Sequence, residues 1–476
     1  MLARDYRFDG KFFVGVKTTG VYCRPICPAR PKRENVEFFP DARLAEKRGY
    51  RPCLRCRPEC APLSPAWSGK SALVHRALKA LSESAAGHSG SHPADGQGEE
   101  AFAARFGVSA RHLRRLFLAE VGKTPARIQS DHRLDFARNL ILDTSLPMAG
   151  IAGSAGFASI RRFNAAVKER FRRSPTELRG RGRKTLPAPG IVLTLPFRPP
   201  FDWETSLAYY RSHTIAGLES FGDGAYERRF RWEGGAPGSV RVTLDPGPHR
   251  LRVEVSGSEI RSLARTAKAV RRMFDLDSDP LLVANAFARE PRLEKLRRKR
   301  PGLRSPRGWD PWETAVCAVL GQLVSIPQAN RLIAQLVAGY GEIVRHPGTR
   351  EEFRLFPTPG NLLRSDLAKV GTTGARKAVL RELARKVHSG EISLSSAQDP
   401  DAFRASLLAI RGIGPWTAEY ICLRAIGDTD AFPATDLVLR RALEADGHMD
   451  ISRVRPWRGY AAAHLWRAWA LEKENQ

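Results

Sequence analysis

The chain has 476 residues, far more than one domain, and at about 100–200 residues per domain it predicts roughly three or four, each able to bury a core. Lys and Arg number 78 against 50 Asp and Glu, a formal charge of +28, and residues 1–182 alone carry 33 basic and 17 acidic side chains. That balance asks for a polyanionic partner, and nucleic acid fits it. A membrane surface is the rival polyanion, yet no apolar run approaches the roughly 18 residues that span a bilayer, and no membrane partner is expected. The opening MLARDYRFDG has no signal-peptide core, so a cytoplasmic protein is expected.

Five of the seven cysteines fall between Cys23 and Cys60. Cys23, Cys27, Cys53 and Cys56 form C-x3-C, a gap of 25 residues and C-x2-C, the paired spacing that folds two short knuckles around one tetrahedral zinc. In a reducing compartment metal is the expected use of such thiols rather than disulfide. Cys60 is a fifth thiol outside the pairs, either an alternative ligand or none. The words around the cysteines, KTTGVYCRPICPAR, ENVEFF and GYRPCLRCRPEC, resemble the N-terminal zinc domain of the Ada-type adaptive-response regulators. That resemblance implies a small zinc-bound α+β domain over 1–66, with Cys23 as both a ligand and the acceptor of a methyl group from a DNA methylphosphotriester. A purely structural zinc site is the alternative that the spacing alone leaves open.

A short helical pattern from Trp67 to Leu81 runs into SESAAGHSGSHPADGQGE, whose Gly, Ser and His content reads as a flexible insert. Two similar blocks follow, Ala101 to Phe117 and Ile151 to Phe171. Each reads as helix, glycine turn and a second, basic helix begun by a serine, which is the helix-turn-helix pattern. Paired blocks joined by a longer helix, Ile128 to Leu142, and closed by RRSPTELR resemble the all-α DNA-binding domain of the AraC family, here over 67–182. By that resemblance the recognition helices begin at Ser109 and Ser159 and bring Arg111, His112, Arg115, Arg161 and Arg162 to DNA.

The basic Pro/Gly stretch RGRGRKTLPAPG, Arg179 to Gly190, reads as a linker. Beyond it IVLTLPFRPPFDW, RRFRW, SVRVTL and RLRVEVSG alternate with period two, and SEIRSLARTAKAVRRMFDL turns helical. A small antiparallel sheet with helices is expected over 187–298. From Pro280 onward the pattern is helical throughout, so the last domain, 299–476, is expected to be all-α.

Within it, Leu407, Leu408 and Ile410 end an apolar turn. Gly412-Ile413-Gly414-Pro415 then breaks the helix and opens another, since the glycines permit left-handed dihedrals and proline suits a first helical turn. Glycine amides in such a hairpin can take a phosphate oxygen. Asp436 follows in FPATDLVLRR. This segment, with GLRSPRGWDPWETAVCAVLGQLVS from Gly302 and RPWRGYAAAHLW from Arg455, resembles the helix-hairpin-helix DNA glycosylases of the alkylbase, 3-methyladenine type II (AlkA) branch. The resemblance also covers the preceding α+β segment. It implies a catalytic carboxylate at Asp436, a base pocket of Trp416, Tyr420 and Trp466, a wedge at Leu323 beside Gln322, and DNA-backbone contact at Gly412 and Gly414.

Elementary chemistry agrees, because a base must leave the stack before its glycosidic bond can be reached, and the departing base leaves a cationic sugar for a carboxylate to stabilise. Relatives that also nick the strand carry a lysine where this chain has Trp416, and some carry a four-cysteine iron–sulfur loop after the aspartate, where this chain has no further Cys. A monofunctional glycosylase of alkylated bases in double-stranded DNA, with one Zn²⁺ and no cluster, is the expectation. The alternative is a methylation-activated transcription factor with a glycosylase-like clamp. Cys317 and Cys422 lie in apolar helical text and are expected in the core, and no Pro-Cys-His triplet for repair of O6-methylguanine occurs.

Overall fold

In the computed structural model the described residues are 8, 12–27, 29–40, 42–53, 56, 58, 72–84, 96–144, 146–180, 190–232, 234–257, 259–395, 398–444 and 449–474. Cys60, Trp67, the middle of the Gly/Ser/His-rich insert and residues 181–189 of the linker lie outside them. The chain divides into two compact units, Met1–Pro199 with Asp245–Lys268 and Leu276–Ser278, and Pro200–Leu244 with Ala269–Asp275 and Asp279–Gln476. This division is coarser than the four segments expected from the sequence. No helix among the described residues is long and apolar enough to cross a membrane.

The first unit begins with a small sheet whose strand order is Val36–Phe39, Phe13–Val16, Val21–Cys23, Arg51–Pro52. Only the last pairing is parallel. Phe13, Tyr22, Phe39 and Ala45 pack one face, while Val16 joins Cys23, Cys27 and Cys56 on the other. The helix-turn-helix blocks follow as expected: Gly96–Ala104 and Ala110–Glu120, then the long helix Pro125–Asp143, then Met148–Ser154 and Ile160–Phe171. The insert is shorter than its composition suggested, because the helix Ala72–Ser84 takes its first residues and Gly96–Ala104 its last. Leu113 and Phe117, like Phe163, Val167 and Phe171, are buried four residues apart, which is the stripe that seats each second helix. The strand Ile191–Pro196 pairs antiparallel with Arg250–Ser256.

In the second unit Glu219–Gly222, Ala225–Arg231 and Pro237–Leu244 form an antiparallel meander. Asp223 and Gly224, both at positive φ, make its first turn, the Asp-Gly pairing that a two-residue hairpin favours. Helices then dominate, several announced by an aspartate cap followed by proline: Asp279 before Pro280–Phe287, Asp310 before Pro311–Leu320, Asp399 before Pro400–Leu408. The all-α expectation needs one correction. Ile343–Arg345 and Glu352–Arg354 form a two-stranded antiparallel ladder, with Val344 and Phe353 buried against the helical core. Cys317 packs against that core partly buried, and Cys422 is fully buried in it.

Sheet and helices of this unit meet at a buried charge cluster. Arg228, 2% exposed, holds Glu219 and Glu313 at once. Two carboxyls share one guanidinium, and burial pushes Glu313 up to about 7 from its usual 4.5. A folded value above the unfolded one means the native state holds the extra proton between those limits. The stabilisation is therefore complete below pH 4.5 and is lost as pH rises through about 7. Glu313→Gln removes the titration, so thermal melts of wild type should lose on the order of 2 kcal/mol between pH 5 and 8 that the variant does not lose. Parallel pH profiles for the two proteins would show that Glu313 is ionised throughout.

Candidate active site and zinc centre

The hairpin is built from two short helices, Pro400–Leu408 and Pro415–Ile421. Leu407, Ile410 and Ile413 bury their side chains, and Ile413 N–H donates to Ile410 O at 2.9 Å to close the turn. Leu408, expected with them, points outward and is 43% exposed. Gly412 has φ 97°, and a Cβ there would meet Val379 at 2.5 Å, so both its dihedral and its close packing demand glycine. Gly414 caps the second helix with no side chain in the way.

One turn apart on that second helix, Trp416 and Tyr420 stack with centroids 5.0 Å apart. Tyr420 meets Trp466, from the helix Arg458–Glu474, edge-on at 6.3 Å. Asp436 joins all of this. Its Oδ2 accepts from Trp416 Nε1 at 2.9 Å and its Oδ1 from Trp466 Nε1 at 3.1 Å. Oδ1 also accepts the backbone N–H of Val438 and Leu439, at 3.0 and 3.1 Å, at the start of the helix Leu437–Glu444. The carboxylate is at once a helix cap and the hydrogen-bonded centre of an aromatic cluster. Burial pushes the Tyr420 phenol up, so it stays protonated.

Three further residues belong to the cluster and were not foreseen. Arg424, 3% exposed, lies on a π-helical turn, Cys422–Ile426, that continues the Trp416 helix. Its guanidinium stands 5.0, 5.7 and 5.2 Å from the rings of Tyr209, Tyr420 and Trp466, and its Nη1 donates to Pro306 O at 2.6 Å. Tyr209 stacks on His213 at 4.3 Å and brings its hydroxyl to 3.5 Å from that of Tyr420. Burial lowers His213 to about 4, and its Nδ1 meets Tyr209 O, which can only accept. The neutral ring therefore carries its proton on Nδ1. A π-turn is a frequent mark of functional sites but has no sequence signature, and Tyr209 lies over two hundred residues upstream.

Leu323 stands fully exposed at φ 54°. Gln322 beside it turns its amide inward, donating to Gly412 O at 3.1 Å and Thr417 Oγ1 at 2.9 Å.

In the first unit, Val21–Cys23 ends on one candidate ligand, and its parallel neighbour delivers Cys53, whose N–H donates to Tyr22 O at 3.0 Å. A turn returns Cys27 N–H to Arg24 O, and Arg24 N–H approaches Cys56 Sγ at 3.3 Å. The four sulfurs lie within 4.8 Å of one another. A compact all-thiol set fits one tetrahedral zinc. On the Tyr22 face of the sheet Glu46 accepts from Tyr22, Lys123 and Arg170 at 2.8–2.9 Å, and next to the sulfurs Arg138 donates to Cys53 O at 3.1 Å. In the helix-turn-helix pair, Ser109 and Ser159 use their hydroxyls as caps, accepting from His112 and Arg162 N–H at 3.3 Å. Arg111, Arg115, Arg161 and Arg162 are exposed, and Arg115 donates to His112 Nδ1 at 3.1 Å.

Residues 1–59 match the family model "Metal binding domain of Ada", 102–181 a helix-turn-helix domain, and 192–310 the "AlkA N-terminal domain". The chain is 38% identical over 480 residues, 98% of itself and 94% of the relative, to the "Probable bifunctional transcriptional activator/DNA repair enzyme AlkA" of Mycobacterium tuberculosis. It is 31% identical to DNA-3-methyladenine glycosylase 2 of Escherichia coli, over 58% of this chain and 96% of that one. It is 36% identical to the bifunctional transcriptional activator/DNA repair enzyme Ada of the same organism, over 33% of this chain and 42% of that one. The chain belongs to the AlkA family of bifunctional transcriptional activator/DNA repair enzymes, with an Ada-type zinc region and a DNA-binding helix-turn-helix region ahead of a DNA-3-methyladenine glycosylase region.

Proposed function

We propose that the second unit hydrolyses the N-glycosidic bond of alkylated purines of the 3-methyladenine and 7-methylguanine type in double-stranded DNA, with Asp436 as the catalytic carboxylate. The observation that carries this reading is the clamp of Trp416 and Trp466 on that carboxylate, which fixes a negative charge within an aromatic cluster. A base flipped against the Trp416, Tyr420 and Trp466 cluster is held by stacking, and a positive charge on it strengthens that hold. As the C1′–N bond breaks, the base leaves with the bonding pair and Asp436 faces the cationic sugar. A water oxygen then bonds to C1′ and gives one proton to bulk water, leaving an abasic site in an intact strand. Gly412 and Gly414 hold the backbone, and Leu323 fills the gap in the stack.

The N-terminal part reads methylphosphotriesters on cytoplasmic DNA. Zinc, when bound, keeps its four sulfurs as thiolates at neutral pH. The Cys23 sulfur attacks the methyl carbon, the carbon–oxygen bond breaks, and its electron pair restores the phosphodiester anion. Arg111, His112, Arg115, Arg161 and Arg162 place the two recognition helices on promoter DNA, with Ser109 and Ser159 fixing the helix starts.

Asp436→Asn sets an amide N–H against an indole N–H, so the clamp opens as well as losing charge. Release of 3-methyladenine should fall about a hundredfold or more while duplex affinity is kept; release at the parental rate excludes Asp436 as the catalytic group. Because Trp416 has no amine, borohydride should trap no protein–DNA adduct, and the product strand should stay uncut. Crosslinking or nicking by pure protein overturns the monofunctional reading. Methylating one of four zinc thiolates takes the centre from −2 to −1, which should tighten duplex binding by roughly 1 kcal/mol at low salt and less at high salt. The check is the full chain before and after reaction with methylphosphotriester DNA, titrated across a salt series, with the methyl located by mass spectrometry. A methyl elsewhere than Cys23, or unchanged affinity at low salt, leaves a structural zinc site.

A further inference from the structure

A leucine at positive φ is costly, and it persists only where its surroundings impose it. Leu323 has such a backbone and no side-chain packing of its own to compensate. The constraint comes through its neighbour. Gln322 Nε2 is tied to Gly412 O and Thr417 Oγ1, and Gln322 O accepts from Arg376 Nη2. Arg376 is itself steadied, its Nη1 donating to Thr372 Oγ1 at 2.9 Å. It sits in the first turn of the helix Gly374–His388, one turn ahead of Val379, which occupies the space a Cβ on Gly412 would need. One helix therefore touches both the turn that carries Leu323 and the glycine hairpin. Thr417, 3% exposed, anchors the same amide from the helix that carries Trp416.

We propose that Arg376 and Thr417 are positioning residues that lock the Leu323 turn to the Gly412 hairpin through Gln322. The hairpin's hold on the DNA backbone and the entry of Leu323 into the stack then occur as one rigid step. The proposal rests on the reading of Leu323 as the wedge. Freeing the turn lets Leu323 relax before it meets DNA, so the loss falls on opening a paired base and not on cleavage once the base is out. Arg376 and Thr417 touch the turn and the hairpin, and neither needs to meet the reacting atoms for this effect.

The full-length protein is assayed on 7-methylguanine in two duplexes, one with the lesion paired to cytosine and one with it mispaired. Arg376→Ala and Thr417→Val should each lower excision from the paired duplex by about tenfold and from the mispaired one by less than about threefold, as Leu323→Ala does. Arg376→Lys, which keeps a donor for Gln322 O, should restore most of the loss. The ratio of the two substrates cancels any loss of folded protein. A 2-aminopurine placed beside the lesion should report slower unstacking in the same variants. If Leu323→Ala shifts the ratio and Arg376→Ala and Thr417→Val do not, the lock is wrong and the wedge stands. If Leu323→Ala leaves the ratio unchanged, the wedge reading itself fails. Should Arg376→Ala weaken binding of undamaged duplex and lower its salt dependence by one phosphate contact, with the ratio unmoved, Arg376 is a backbone contact and the proposal is overturned.

Discussion

The catalytic half of the molecule is organised by four N–H groups that converge on one carboxylate. Asp436 takes two backbone donors from the first turn of its own helix and two indole donors, one from Trp416 and one from Trp466. Charge-assisted hydrogen bonds of this kind are stronger than neutral ones, and each also fixes an angle. The indoles belong to helices fifty residues apart in sequence, so the aromatic rings and the acid cannot be placed independently of each other. The cap and the catalytic role proposed for Asp436 are not rival explanations of this residue. Here the cap fixes the side chain's rotamer, and the indoles fix where its remaining lone pairs point.

The cation inside the cluster is the counterpart of that anion. Arg424 faces three rings, one of them the Trp466 indole that donates to the carboxylate, and its own carbonyl accepts from Gly308 N–H at 3.2 Å. A guanidinium with so little solvent is retained where flat π faces and a carbonyl replace its hydration. The result is a set of rings whose planes are fixed before any base arrives, because a buried charge penalises their rotation.

Much of this was legible from local rules. The Ser caps, the period-two strands, the paired glycine turns and the cysteine spacing each depend on residues a few positions apart, and each appears where it was expected. Asp436, Trp416, Tyr420 and Trp466, singled out through the resemblance of three separated motifs, lie in contact with one another. What was not legible depends on long-range placement. Tyr209 joins the cluster from a helix two hundred residues upstream, and Arg424 reads in ICLRAIG as one basic residue in an apolar run. Gln322 gave no sign that its amide would turn to Thr417. The strand Glu219–Gly222 did carry a local signal, the Asp-Gly turn after it, that period-two reading alone passed over. The ladder at Val344 and Phe353 has only three residues a side, too short for alternation to stand out from a helical background.

The first unit shows where its acids go, and that explains how so basic a segment can fold and still present charge. Glu46, Asp131 and Asp135 face Lys123, Arg127 and Arg170 in one cluster between the small helix Ala42–Lys47 and the helix-turn-helix pair. Acids and bases nearly cancel within it, and side chains with under a tenth of their surface exposed, such as Arg170 and Asp131, make the arrangement costly to break from one side. Since these acids are consumed inside, the excess of arginine is left to the outer helices, where Arg111, Arg115, Arg161 and Arg162 stand exposed. A charge that is unopposed at the surface acts at a distance set by salt, about 8 Å at physiological ionic strength, whereas one paired in the interior fixes geometry and contributes little field. The same residue types thus do two jobs in this unit, and burial decides which.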